Sequence, residues 1–379
     1  MNKRILGKRN PGEVSILGFG CMRFQTIDND YGRINEAVSM EQIRYAIDHG
    51  LNYLDTAWPY HNETSEGFVA KVLEDGYREK VYIADKLPSW LIKTREDMDK
   101  FLDEQLKRLN VEYIDYYLLH ALNKNSWANL VENNVFDFIE KALASGKIKN
   151  IGFSFHDSYE AFEEIILAFD WDFCQIQFNF YDLEYQAGLK GLKLAASKDI
   201  GVIVMEPLRG GRLANNVPDE IKEIYKSSGH VHSPAGWALR YVWNYPEVKL
   251  VLSGMNELEH IKDNLEEASN TLANSLTDVE ELTIQKVNVF YKARIQVDCT
   301  DCKYCMPCPF GINIPQNFAM YNSAHVFDAY DRYKGLYYSQ LKPEQMADMC
   351  QQCGECISKC PQNIQIIDEL VNVAEYFKK

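Results

Sequence analysis

The chain has 379 residues, 46% of them hydrophobic and 25% charged, which excludes an intrinsically disordered protein and supplies apolar side chains for more than one core. Its net charge of −15 excludes general affinity for nucleic acid or an anionic membrane and leaves small molecules or proteins as partners. No stretch approaches the ~20 apolar residues of a membrane span, and MNKRILGKRN has no apolar run behind its basic start, so a cytoplasmic protein is expected.

From residue 15 to about 270, short apolar runs alternate with amphipathic stretches. ILGFG, LNYLDTA, VYIADK, YIDYYLLH, IKNIGFS, FCQIQFN, GVIVMEP and VKLVLSG read as strands. MEQIRYAIDHG, REDMDKFLDEQLKRLN, VFDFIEKALASGK and EHIKDNLEEA repeat apolar residues at three- and four-residue intervals and read as helices. Continuous apolar strands separated by helices predict a parallel sheet, and eight such units predict an α/β fold closed into a (β/α)8 TIM barrel. HALNKNSWANLVENNV is read as a loop after the fourth strand that sets substrate choice. A helical stretch near TDVEELTIQKVNVFYKA follows, and the composition changes where closely spaced cysteines begin. The expected organisation is a barrel over 1–272, a helical linker over 273–298 and a small, mainly helical domain over 299–379, with INIPQNFAMYNSAHVFDAYDRYKG helical.

In such a barrel the chemistry belongs at the C-terminal ends of the strands, so polar residues that end apolar runs are the candidates. The second run ends at Asp55 with Tyr60 on the loop behind it, the third at Lys86 and the fourth at His120. Each alone has an ordinary structural role, as a helix cap, a rim tyrosine, a solvated lysine or a buried histidine. Together they compose an acid catalyst. Reducing a carbonyl by hydride transfer leaves charge on oxygen, so a proton donor is needed, and free Tyr, with a pKa of ~10, is sluggish at neutral pH. A Lys ammonium beside it lowers that pKa, and a carboxylate holds the Lys charged and in place. A neighbouring His orients the substrate oxygen. These roles fall to Tyr60, Lys86, Asp55 and His120 in turn.

Through LGFGCMRF, NYLDTAWPYHNETSE, DYYLLH, KIKNIGFS and LVLSGMNELEHIKDNL, most of residues 1–270 resembles the aldo-keto reductases. The resemblance implies reduction of a small aldehyde or ketone, or the reverse, with NADP(H) as cofactor and NAD as the alternative. It makes Asp55, Tyr60, Lys86 and His120 a catalytic tetrad and puts Ser154 and Gln175 at the nicotinamide carboxamide. Where an Asn commonly follows that Ser the chain has Phe155, then His156, and Met205 stands where many members stack an aromatic ring. Gly254, Met255, Asp263 and Asn264 match positions around the adenosine, with His260 at one place where a basic residue often meets a 2′-phosphate. The turn of Leu208, Arg209, Gly210, Gly211 and Arg212 suits a pyrophosphate, because its glycines permit close backbone approach and its arginines offer charge. A tight turn with solvated arginines is the plain alternative.

Of ten cysteines, Cys21 and Cys174 sit alone in apolar runs and are expected to be small buried hydrophobes. The other eight lie at spacings of two or three residues in two groups, which favours shared metal over disulfides. Cys350-x2-Cys353-x2-Cys356-x3-Cys360-Pro361 is the bacterial ferredoxin run, and Cys299-x2-Cys302-x2-Cys305-x2-Cys308-Pro309 is one residue shorter. In two-cluster ferredoxins the Cys before Pro serves the other cluster. Carried over, this gives Cys299, Cys302, Cys305 and Cys360 for one 4Fe–4S cluster and Cys308, Cys350, Cys353 and Cys356 for a second. The region resembles a helical two-cluster ferredoxin-like domain; zinc and a single cluster are the alternatives. Clusters imply a redox partner protein, and they sustain a rival reading of an electron-transfer or redox-sensing protein whose barrel binds nucleotide with little turnover.

Overall fold

Each of the eight apolar runs forms a strand of a closed parallel barrel. The structure is a computed structural model that describes residues 1–28, 30–215, 217–299, 305–360 and 362–378. It begins with an antiparallel hairpin, β1 (Lys3–Leu6) and β2 (Gly12–Ser15). The barrel follows as β3 (Leu17–Gly20), β4 (Tyr53–Asp55), β5 (Tyr82–Leu87), β6 (Ile114–Leu122), β7 (Ile148–Phe155), β8 (Phe173–Gln177), β9 (Gly201–Met205) and β10 (Val248–Ser253). Neighbours in sequence are neighbours in the sheet, and β10 pairs with β3 to close it.

Alternation along the strands sorts side chains into two cores. Tyr53, Ala84, Tyr116, Leu118, Phe173, Ile203, Leu250 and Leu252 pack inside the barrel, joined by Leu6 and Val14 of the hairpin. The Tyr116 hydroxyl donates to the Leu6 carbonyl at 3.0 Å, so the hairpin, which sequence reading left out, plugs the end where the strands begin. Outward residues such as Leu54, Ile83, Tyr117, Phe153, Cys174 and Val204 pack in a second core that includes residues of the surrounding helices. Cys21 and Cys174 are fully buried there, as their apolar surroundings predict.

Gly152 on β7 shows how closely the staves approach. A Cβ at this position would lie 2.5 Å from the Phe173 carbonyl oxygen, a backbone atom of β8 that cannot yield without disturbing the sheet. Gly152→Ala is therefore expected to lower unfolding free energy by ~1–3 kcal/mol, the usual scale of overpacking. A urea titration checks this, and an unchanged midpoint would contradict it.

The stretch HALNKNSWANLVENNV is not a plain loop. Residues Lys124–Glu132 form a helix capped by Asn123, whose side chain accepts from the amides of Asn125 and Ser126 at 2.9 and 3.0 Å. The Asn-x-x-Ser pattern is a helix-start signal that the polar composition obscured.

The chain divides into two compact units, residues 1–215 with 231–281, and residues 216–230 with 282–379. The second includes a helix over Asp219–Ser227, a segment that lies in the sequence between β9 and β10. Its own core gathers Phe318, Tyr333, Tyr337 and Leu370 from helices over Ile314–Val326, Tyr330–Gln340 and Ile366–Tyr376, joined by Val297 before them and Phe377 after the last. The first two of these helices are the ones predicted between the cysteine groups. No helix of the described residues is long and apolar enough to cross a membrane.

Candidate active site

The candidate side chains sit where the alternation puts them. Asp55, Lys86, His120, Ser154, Gln175 and Met205 each stand two residues beyond Tyr53, Ala84, Leu118, Gly152, Phe173 and Ile203 on the same strand, so they face inward at the ends where the strands finish. The same parity turns Phe155 away. It is fully buried in the outer core, its ring 5.2 Å from that of Phe162, and so does not occupy the site at all.

The Lys86 ammonium is the hub. It donates to Asp55 Oδ1 at 2.7 Å, to the Thr56 carbonyl at 2.6 Å and to the Tyr60 hydroxyl at 3.4 Å, with Lys86 itself fully buried. Burial opposes its charge, but Asp55 and Tyr60 outweigh burial and carry the ammonium above the ordinary lysine range. Breaking such a buried pair by removing one partner typically costs ~3–5 kcal/mol, so the pair is structural as well as chemical. Asp55 is raised by its own burial and pulled back by Lys86.

Tyr60 departs from expectation. Burial pushes its phenol up to about 12; Lys86 acts downward as predicted but does not outweigh burial. The phenol is thus held protonated across the neutral range. His120 packs edge-on to Tyr60 with ring centroids 6.0 Å apart, and the ring of half-exposed Trp90 is centred 5.1 Å from that of His120. Burial, then the nearness of Lys86 and His156, drives the imidazole well below the usual histidine range, so it is neutral.

The loop that carries Tyr60 is anchored by a residue that sequence reading missed. His61 is fully buried, with Nε2 accepting from the Phe24 amide at 3.2 Å and Nδ1 2.8 Å from the Tyr31 carbonyl. Its ring stacks on those of Tyr31 and Phe24 at 4.5 and 5.3 Å. Burial lowers its pKa, which keeps it neutral with Nδ1 as the donor. A His directly after Tyr60 was the available signal.

Beside the tetrad several buried polar atoms have no partner among the described residues: His120 Nδ1, Gln175 Oε1, Asn264 Oδ1 and Asp55 Oδ2. Ser154 Oγ accepts from the Ala121 amide at 2.7 Å, leaving its own proton to donate. Gln175 Nε2 lies 3.6 Å from Met205 Sδ, which is a weak acceptor. Each buried orphan costs ~1–3 kcal/mol, so a polar ligand at the barrel mouth that satisfies these four would gain that much from each.

A cleft of about 210 Å³ opens from this mouth, lined by Leu208, Gly210, Gly211, Gly254, Met255, His260, Asp263 and Asn264 among others. The turn and last-strand residues singled out in the sequence thus share one cavity. Arg209 is turned aside: its Nε donates to buried Asp182 at 2.9 Å and its guanidinium lies over the Tyr181 ring. Arg212 follows half-buried in the same turn.

In the C-terminal unit Cys305, Cys308, Cys350, Cys353 and Cys356 line one hollow with Pro309, Phe310 and Ile314. Burial raises the Cys356 thiol, and the nearness of the Cys350, Cys353 and Cys308 thiols adds to the effect. These are the four residues grouped by the crossed Cys-Pro rule. Cys299 and Cys360 pack against the unit's core, whereas Cys302 and Pro361 lie outside the described residues.

Comparison with known proteins agrees with this architecture. A sequence profile described as "Aldo/keto reductase family" matches residues 16–283, and one described as "4Fe-4S dicluster domain" matches residues 298–365. A probable aldo-keto reductase of Glycine max is 28% identical over 67% of this chain and 80% of its own. A methylglyoxal reductase of Escherichia coli is 28% identical over 57% of this chain and 75% of its own. An aldo-keto reductase structure from Bacillus halodurans superposes over 76% of this chain and 96% of its own, with a TM-score of 0.62 and 24% identity. One from Klebsiella pneumoniae in complex with NADPH covers the same shares at a TM-score of 0.62 and 22% identity. The chain belongs to the aldo/keto reductase family and carries a C-terminal 4Fe-4S dicluster domain.

Proposed function

We propose that the barrel reduces a small aldehyde or ketone with a nicotinamide dinucleotide, Tyr60 serving as proton donor. The observation that carries this is the buried Lys86 ammonium joined at once to Asp55 and to the Tyr60 hydroxyl. Reduced nicotinamide, when bound, supplies the hydride. Ser154 and Gln175 offer a donor and an acceptor for its carboxamide, and Met205 offers a soft apolar platform. Neutral His120 presents an unpaired ring nitrogen and orients the carbonyl oxygen. As negative charge grows on that oxygen the Tyr60 proton moves to it, and Lys86 stabilises the phenolate left behind. The names of the Escherichia coli methylglyoxal reductase and of an indole-3-acetaldehyde reductase from Schizosaccharomyces pombe favour an aldehyde. The Klebsiella structures with NADPH and NADP favour NADP(H), with NAD the alternative.

The C-terminal unit would hold two 4Fe–4S clusters on Cys299, Cys302, Cys305 and Cys360, and on Cys308, Cys350, Cys353 and Cys356. Such clusters, when bound, exchange single electrons, which suits a redox partner protein.

The pH profile tests the assignment of Tyr60. A phenol at about 12 stays protonated as pH rises through the neutral range, and a histidine well below its usual value stays neutral. Carbonyl reduction at saturating substrate is therefore expected to stay level between about pH 6 and 9, while the reverse oxidation, which needs the phenolate, rises with pH. A reduction rate that falls tenfold across this interval would contradict the proposal.

A further inference from the structure

We infer that Arg23 is the cation that receives the dinucleotide's pyrophosphate, and that Glu206 holds it across the cleft until the nucleotide arrives. The inference rests on the nucleotide reading of the cleft. Arg23 follows β3 and Glu206 follows β9, so their side chains reach from two separate strand ends, and Arg23 Nη2 meets Glu206 Oε1 at 3.0 Å. Both line the cleft.

The glycines beneath mark the path of the arginine. A Cβ on Gly254 would lie 2.7 Å from Arg23 Cδ, so the aliphatic stem rests on bare backbone there. A Cβ on Gly210 would lie 3.7 Å from Arg23 Nη2 and 3.6 Å from Glu206 Oε2, so the ion pair stands over the turn whose glycines suit a phosphate. Glu206 has a left-handed backbone, φ 53°, uncommon outside glycine, with its carbonyl fixed by the Asn179 amide group at 3.1 Å. Arg209, expected from sequence to meet the pyrophosphate, is instead committed to Asp182. Among the residues lining the cleft the other cationic candidate is His260, 3.8 Å from Glu257.

The pair is 45% and 35% exposed, and ion pairs in such surroundings are weak. A pyrophosphate offers the guanidinium two anionic oxygens in bidentate geometry, a better partner than one carboxylate oxygen. The carboxylate, left facing an anion, is repelled. Glu206 is thus a competitor of the ligand and Arg23 its receptor.

The two groups therefore have opposite signs in binding. Dissociation constants for NADH and NADPH, read from nicotinamide fluorescence with the full-length protein, test this. Arg23→Ala is expected to weaken binding at least ~10-fold, the scale of losing a charged hydrogen-bond partner. Glu206→Gln is expected to tighten it by ~3-fold or more and to raise the association rate. If the pair were a strut, both variants would weaken binding, and that result overturns the inference while leaving the nucleotide site standing. If the wild-type protein binds neither nucleotide, the reading of the cleft fails and the inference with it. Arg23→Lys, which keeps the charge, should recover part of the loss; wild-type affinity in Arg23→Ala also overturns the inference.

Discussion

Tyr60→Phe is expected to lower carbonyl reduction by at least ~100-fold while leaving nucleotide affinity nearly unchanged. The ring would remain, so its packing against His120 and its place over Lys86 would survive. What disappears is the hydroxyl 3.4 Å from the Lys86 ammonium, the one proton that the tetrad offers to a developing alkoxide. Single-turnover mixing of nucleotide-loaded protein with aldehyde separates this loss from binding. A variant that turns over at the wild-type rate would remove Tyr60 from the chemistry, and one that no longer binds nucleotide would mean that the hydroxyl acts on the fold instead.

The second large effect concerns metal. Protein made and kept without oxygen is expected to hold about eight irons in two cubanes. Cys308→Ala should lose about half of that iron, with a single cluster remaining, because the crossed assignment groups Cys308 with Cys350, Cys353 and Cys356 and not with its sequence neighbours. Cys308 shares a hollow with Cys350, Cys353 and Cys356, which Cys305 also lines. Stoichiometric zinc, or about four irons in the unaltered chain, would contradict the two-cluster proposal. Removal of iron by a chelator should also loosen the C-terminal unit, since ligation by chain segments so far apart in sequence is itself a folding constraint.

Much of the barrel was legible because parallel strands buried on both faces leave unbroken apolar runs, and each run from ILGFG to VKLVLSG found its strand. The inward position of Asp55, Lys86 and His120 was legible too, through the count of two from an interior residue on the same strand. Less legible were features that depend on three-dimensional context. The β1–β2 hairpin has only short, mixed segments, and its role as a plug appears only when Leu6 meets Tyr116. The phenol of Tyr60 was expected to fall beside a lysine, yet the depth of burial, which sequence does not give, outweighs that lysine. Phe155 stands where an Asn commonly follows the Ser, and adjacency in sequence hides the strand parity that turns it into the outer core. Arg209 offered a plausible charge, but Asp182, twenty-seven positions away, had already engaged it.

The most direct test of nicotinamide-linked carbonyl reduction follows one hydrogen. Protein with its clusters oxidised is mixed anaerobically with nicotinamide nucleotide carrying deuterium at the transferable C4 position and with methylglyoxal or another small aldehyde, and the product is analysed by mass spectrometry. Deuterium on the former carbonyl carbon of the product is expected, in amounts equal to the nucleotide oxidised and abolished by Tyr60→Phe. Nucleotide oxidation that reduces the clusters and leaves the aldehyde free of deuterium would contradict hydride transfer at the barrel mouth and make the chain an electron-transfer protein instead.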